Sequence, residues 1–178
     1  MPTVMSHAVV ALAFAPAFRH AGWPPRVWWA GALCAMAPDA DVLGFSLGVP
    51  FGSMLGHRGL THSLPFAAAL AWVVARLLVP GGTRMRLWLY LFVATASHGV
   101  LDAMTDGGIG IAFFAPFDAE RYYLPWRPIA VSPIGLQRFL TARGAAVLAS
   151  EARWVWLPSL LVAMVAWALS RPRPSAKA

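Results

Sequence analysis

Five histidines and seven acidic residues are all that this 178-residue chain offers for acid–base or metal chemistry, and most fall into four short clusters. His7 stands near the start. Asp39 and Asp41 lie in Pro38-Asp39-Ala40-Asp41, and His57 and His62 in Gly56-His57-Arg58-Gly59-Leu60-Thr61-His62-Ser63. His98 and Asp102 follow, with Asp106 just beyond. Neutral imidazole and carboxylate together form the ligand set of zinc and related divalent ions. His98 and Asp102 are i, i+4, so on a helix they share a face and can bind one ion together. Asp39 and Asp41 flank one residue after a proline; in an extended turn both carboxylates face one side. His57 and His62 are too far apart for one helix face, which places His57 in a loop and His62 at a helix start. The seven candidate ligands, His7, Asp39, Asp41, His57, His62, His98 and Asp102, exceed the four of one tetrahedral site, so two or more ions fit. Clustered carboxylates repel one another unless cations lie among them. Paired metals about 3.5–4 Å apart are the usual device for clamping and hydrolysing a phosphoester.

The elements that must position these groups are membrane helices. Hydrophobic residues make up 59% of the chain and charged ones 12%, against about 25% charged in a typical soluble domain. Mean hydropathy is +0.63. This balance excludes an ordinary cytosolic globule and a disordered chain. The net charge of +7 comes from basic residues set singly or in pairs between apolar runs, so no nucleic-acid partner is expected. A single cysteine, Cys34, leaves no intramolecular disulfide and no cysteine-based zinc knuckle. Five apolar stretches, Val4–Phe18, Pro25–Pro38, Leu64–Val79, Leu87–Met104 and Trp154–Leu169, are each close to bilayer length. The expected fold is all-α: a polytopic membrane protein with about five short transmembrane helices. A long extracytoplasmic loop, Thr105–Arg153, adds Gly/Pro-rich interfacial or re-entrant pieces. Residues 1–170 form one membrane-embedded domain and 171–178 a basic cytoplasmic tail. No Lys or Arg precedes the first stretch, which marks it as a span rather than a signal peptide.

Arg19 and Arg26, then Arg84 and Arg86, then Arg171, Arg173 and Lys177 fall on one side of an odd number of spans. That side reads as cytoplasmic, which puts the N-terminus, the loop Asp39–Ser63 and the long loop outside. Depth follows at about 1.5 Å per helical residue. His7 is then roughly 18 Å from Arg19, Asp39 roughly 20 Å from Arg26, His62 about 21 Å from Arg76, and His98 about 18 Å from Arg86. Four segments of alternating direction thus bring their His/Asp ends to one level, in the outer half of the hydrocarbon or at its edge.

These motifs resemble the YdjM family of LexA-regulated, membrane-bound metal-dependent hydrolases. The resemblance rests on Met1-Pro2-Thr3 with His7-Ala8, Pro38-Asp39-Ala40-Asp41, Gly56-His57-Arg58-Gly59-Leu60-Thr61-His62-Ser63 and Ser97-His98-Gly99-Val100-Leu101-Asp102, with Pro116-Phe117, Arg121-Tyr122, Pro125-Trp126-Arg127-Pro128-Ile129 and Ser132-Pro133 behind them. It spans nearly the whole chain. The family is distantly similar to zinc-dependent phospholipase C and the P1-type nucleases, helical enzymes that hold a metal cluster with His and Asp. That similarity implies ligand roles for His7, Asp39, His57 or His62, His98 and Asp102. Those enzymes also use a later His-rich helix. No histidine follows His98 here, and Glu151 is the only late acid at a comparable place, so the resemblance implies one or two divalent ions, zinc first, with manganese or magnesium as alternatives.

The expected activity is hydrolysis of a phosphoester in a membrane lipid at the outer face of a bacterial-type inner membrane. Asp41 or Asp106 would accept the proton of an attacking water. Arg58, between two ligands, would hold the phosphate, since guanidinium is its preferred bidentate partner. Thr61, Ser63, Arg121 and Arg127 complete the expected substrate contacts. The alternatives are a divalent-metal transporter, disfavoured by ligands crowded towards one face, and a non-catalytic membrane protein with a structural metal.

Overall fold

The computed structural model describes residues 1–20, 23–79 and 81–170, and the basic tail 171–178 lies outside the described residues. Among the described residues there are seven α-helices, the first four linked through 3₁₀ segments: α1 (Val4–Phe14), α2 (Arg26–Met36), α3 (Leu64–Leu78), α4 (Arg84–Ala103), α5 (Leu136–Phe139), α6 (Ala142–Glu151) and α7 (Leu157–Leu169). Among the described residues there is no β-strand beyond two isolated bridges, Thr105 to Ile129 and Ile111 to Tyr122. The all-helical class is as expected. Each of the five apolar stretches carries a helix. Two helical runs, Arg26–Leu47 and Ala142–Leu169, are long and apolar enough to cross a bilayer, with 22 and 28 residues.

Two boundaries differ from the sequence expectation. The second helix does not end at Pro38; its axis continues as a 3₁₀ segment, Ala37–Leu47. Proline is tolerated at the first turn of a new helical segment, where its missing N–H has no partner to lose. The last span begins earlier than Trp154. α6 runs into a π-helical turn, Ala152–Trp156, and then into α7 without a break. The π turn widens the ladder just ahead of Pro158, whose ring cannot sit in an unmodified helix interior.

The bundle has two unlike ends. Near the starts of α2 and α4 and the end of α3, an apolar core gathers Val27, Ala75, Val79, Leu87, Tyr90 and Leu91. Towards the other ends of α2 and α4 the helices approach through small residues, with Ala11, Ala35 and Ala94 in mutual contact. Small residues let helix backbones come close where apolar burial alone gives no drive between helices. Gly31 shows the need: a Cβ there would lie 2.2 Å from the Tyr90 hydroxyl, which donates to the carbonyl of Ala11. Above the alanine layer all the buried charge is collected. α7 faces the other way, with Leu157, Leu160, Leu161, Met164 and Trp167 exposed, the pattern of a lipid-facing helix.

Candidate metal centre

Four elements supply the cluster. His7 is one turn into α1, and Asp39 sits in the 3₁₀ segment after α2. His62 ends the short 3₁₀ turn Leu60–His62, and His98 and Asp102 are one turn apart on α4. All five side chains are buried, with His7, His98 and Asp102 fully so. Ser63 caps α3 by accepting the Phe66 N–H at 3.1 Å, with Pro65 in the first turn; this cap fixes where the helix begins and hence where His62 stands. Gly99 permits the approach of that turn to α4, because a Cβ there would lie 2.9 Å from the His62 carbonyl.

The donor atoms converge. The Nε2 atoms of His62 and His98 are 3.1 Å apart. Asp39 Oδ1 is 3.3 Å from His98 Nε2 and 3.7 Å from His62 Nε2. Asp102 Oδ2 is 3.6 Å from His62 Nε2 and 4.0 Å from His98 Nε2. A tetrahedron with metal–ligand bonds of about 2.0–2.2 Å has edges of about 3.3–3.6 Å. The four atoms therefore bracket the size of one tetrahedral ion. Each carboxylate turns its other oxygen towards His7, whose Nε2 is 3.6 Å from Asp102 Oδ1 and 4.0 Å from Asp39 Oδ2. The His7 ring itself stacks on His98 at 3.7 Å.

Hydrogen bonding tests whether a cation belongs here. Both nitrogens of His7 and both oxygens of Asp39 and of Asp102 are buried without any hydrogen-bond partner. Buried polar atoms are otherwise almost always satisfied, and leaving a charged one unpaired is costly. His7 Nε2 and the four carboxylate oxygens gather in a single pocket and fit a bound cation, with Asp102 Oδ2 also paired to Arg58. The surroundings also fix which imidazole nitrogen is presented. His98 Nδ1 donates to the Ala35 carbonyl at 2.7 Å, and His62 Nδ1 lies 3.2 Å from Asp41 Oδ2. In each case the outer nitrogen carries the proton, and Nε2 keeps its lone pair for the pocket.

The structure divides the seven expected ligands into two groups that share His62. The inner group is Asp39, His62, His98 and Asp102, with His7 against it; the outer is Asp41, His57 and His62, whose facing atoms could also hold an ion. Asp39 and Asp41 do not present their carboxylates to one side from an extended turn. A 3₁₀ segment turns about 120° per residue, so residues two apart point in different directions. Asp41 instead takes His57 Nδ1 at 2.9 Å on one oxygen and the Thr61 hydroxyl at 2.9 Å on the other. His57 stands outside the inner group, with the ring of Phe51 at 5.5 Å.

Other sequence expectations find different partners. Arg58 is 1% exposed. Its Nε is 3.3 Å from Asp102 Oδ2, while its terminal nitrogens donate to the Gly107 carbonyl at 3.0 Å and the Thr105 hydroxyl at 2.9 Å. It braces a cluster carboxylate from within rather than facing outwards. Its backbone is left-handed, with φ 65°. This costs about 1–3 kcal/mol in a non-glycine residue, and it is held by Ala112 N–H and Arg121 donating to the Arg58 carbonyl. Arg121 is likewise spent on carbonyls, including those of Gly52 and Ser53 at 3.0 Å each. Asp106 is exposed and accepts the Val131 N–H at 2.8 Å, and it lies outside both groups. Ser63 and Thr61 are a helix cap and an Asp41 partner. Arg127 remains exposed, its guanidinium 4.9 Å above the Tyr123 ring.

One buried carboxylate has a role that spacing did not reveal. Glu151 is fully buried at the end of α6. It accepts the Thr3 N–H at 2.5 Å, and the Thr3 and Ser6 hydroxyls at 2.6 Å each. Trp156 adds a bond to the Ser6 hydroxyl at 2.7 Å. An acid in the middle of an otherwise apolar run was the signal available in the sequence; its partners, about 150 residues away, were not.

The family described as YdjM inner membrane protein matches residues 1–174. This chain belongs to the YdjM family. Inner membrane protein YbcI of Escherichia coli (strain K12) is 44% identical to it over 173 residues, covering 94% of this chain and 98% of that one. No solved structure matches the chain significantly. As a YdjM-family membrane protein, the chain carries its buried His/Asp groups within the matched region.

Proposed function

We propose that this YdjM-family protein is a metal-dependent hydrolase of a phosphoester in a membrane lipid, with one divalent ion, zinc first, held by Asp39, His62, His98 and Asp102. The observation that supports a bound ion is the convergence of two imidazole Nε2 atoms and two buried carboxylates at tetrahedral spacing, the carboxylate oxygens having no hydrogen-bond partner. When bound, such an ion supplies Lewis acidity and lowers the pKa of a water towards about 7. The chain's own residues do the positioning. Asp41 and the Ala35 carbonyl orient two imidazoles, and Arg58 offsets the charge of Asp102 and fixes its direction. His7 closes the far side of the pair of carboxylates. Arg127, exposed beside the outer loops, is available to an anionic headgroup. In this reading the chain crosses the inner membrane five times, with the cluster outside and the C-terminus in the cytoplasm.

The burial favours a second reading. Structural zinc sites are closed, whereas catalytic ones keep an open position, and no inner ligand is more than 6% exposed. Metal analysis of the purified protein, followed by incubation with a panel of phosphodiester and phosphomonoester lipids plus zinc or manganese, separates the two. The hydrolase reading expects one ion per chain and release of a headgroup or phosphate. Bound metal with every lipid left intact would establish the structural role instead.

A further inference from the structure

A groove lies beside the cluster. It is lined by Val4 of α1, Leu33 and Met36 of α2, Val42 and Leu43 of the following 3₁₀ segment, and Asp39, with a volume of about 510 Å³. That is within the roughly 300–1,000 Å³ range of sites that hold small ligands. Leu33 and Leu43 are 65% and 68% exposed, so the groove opens on a face whose surroundings in a bilayer are acyl chains. Its lining is apolar except at Asp39 and at Met1, whose buried α-amino group lies in the field of Asp39 and Asp102. Asp39 is 94% buried by its exposure of 6%, and neither of its oxygens has a hydrogen-bond partner.

We infer that this groove seats an acyl chain of a diacyl phospholipid entering sideways from the bilayer, with its phosphate delivered to the Asp39 end. The inference rests on the hydrolase reading for what happens to the phosphate, and on the groove's own chemistry for the occupant. A ligand that is apolar along its length and anionic at one end matches a channel that is apolar along its length and ends at a cation-binding carboxylate. A water-soluble phosphate ester would leave the apolar walls unfilled. The larger groove along α7, about 570 Å³ and lined by Ala17, Leu161, Val165 and neighbours, contains no titratable group and serves as the control for lipid that merely surrounds the protein.

The test uses the full chain, loaded with zinc, in vesicles containing phosphatidylglycerol with a diazirine in the upper half of one acyl chain. Photolabelled residues are mapped by mass spectrometry, and metal per chain is measured on the same samples. The expected result is labelling of Val4, Leu33 and Val42 well above that of Leu161 and Val165. Leu33→Trp and, separately, Val4→Trp should cut groove labelling by about tenfold, a change of about 1.4 kcal/mol in lipid affinity, with metal content unchanged. Labelling equal to that of the α7 control, or unaltered by either tryptophan in protein that still holds its metal, would overturn the inference. Groove labelling in metal-loaded protein that hydrolyses no phospholipid would defeat the hydrolase reading alone.

Discussion

Asp41 separates the two ways of counting ions. If it only orients His62 and His57, then Asp41→Asn keeps every inner ligand but loses a charged acceptor behind the His62 imidazole. Loss of such an outer partner weakens metal binding by about 10–100-fold, so competition with a chromophoric chelator should still find one ion per chain, bound less tightly. Asp102→Asn removes a ligand that touches both sides of the cluster. It also leaves the buried Arg58 guanidinium without its carboxylate. Metal analysis of that variant should find the ion gone.

At the scale of elements, the centre depends on segments that never touch the metal. Glu151 ties the end of α6 to the start of α1, one residue before His7. In Glu151→Gln the hydroxyls of Thr3 and Ser6 keep an amide oxygen, but one of the two charged acceptors becomes an NH₂ group that cannot accept. Hydrogen bonds to a charged group are worth about 1.5–3 kcal/mol, so a loss of about 2 kcal/mol is expected, read as a lower Tm in detergent. Metal affinity should fall with it as His7 loses its tether. The HRGLTHS loop depends on Gly59 in a similar way. A Cβ there would meet the Met54 carbonyl at 2.2 Å, against a backbone that cannot step aside without carrying His57 and His62 along.

For the whole molecule, topology is the quantity to measure. The proposed orientation puts the His/Asp ends of the first four helical stretches on the outer side and the basic turns on the inner. Single cysteines introduced at exposed Phe117 and at Arg86, in a Cys34→Ser background, should be modified by an impermeant maleimide from the periplasmic side at the first position and not at the second. The reverse pattern would invert the protein and move the centre to the cytoplasmic face. The apolar surface of α7 bears on the same question, since its Leu157, Leu160, Leu161 and Met164 side chains are exposed.

Composition alone was enough to specify a membrane helix bundle, because a chain with 12% charged residues has too little charge to cover a water-exposed surface. Spacing within one helix was enough to pair His98 with Asp102, and the distance of each acidic or imidazole end from a basic end was enough to expect the His/Asp ends of four segments together, as they are found. Both inferences use only the rise and turn of an α-helix, which are local. Tertiary structure decided the rest. Whether Asp39 and Asp41 act together depends on the 3₁₀ continuation of α2, a backbone choice set by what packs around Pro38. Arg58 and Arg121 have the chemistry of phosphate binders in any sequence. Here their donors are met by Asp102, Thr105 and loop carbonyls, contacts fixed only when the connecting loops pack against the bundle. Glu151 needed the same closure to meet Thr3 and Ser6. A residue's type bounds the chemistry it can do; which partner reaches it first, once water is excluded, is a property of the packed molecule.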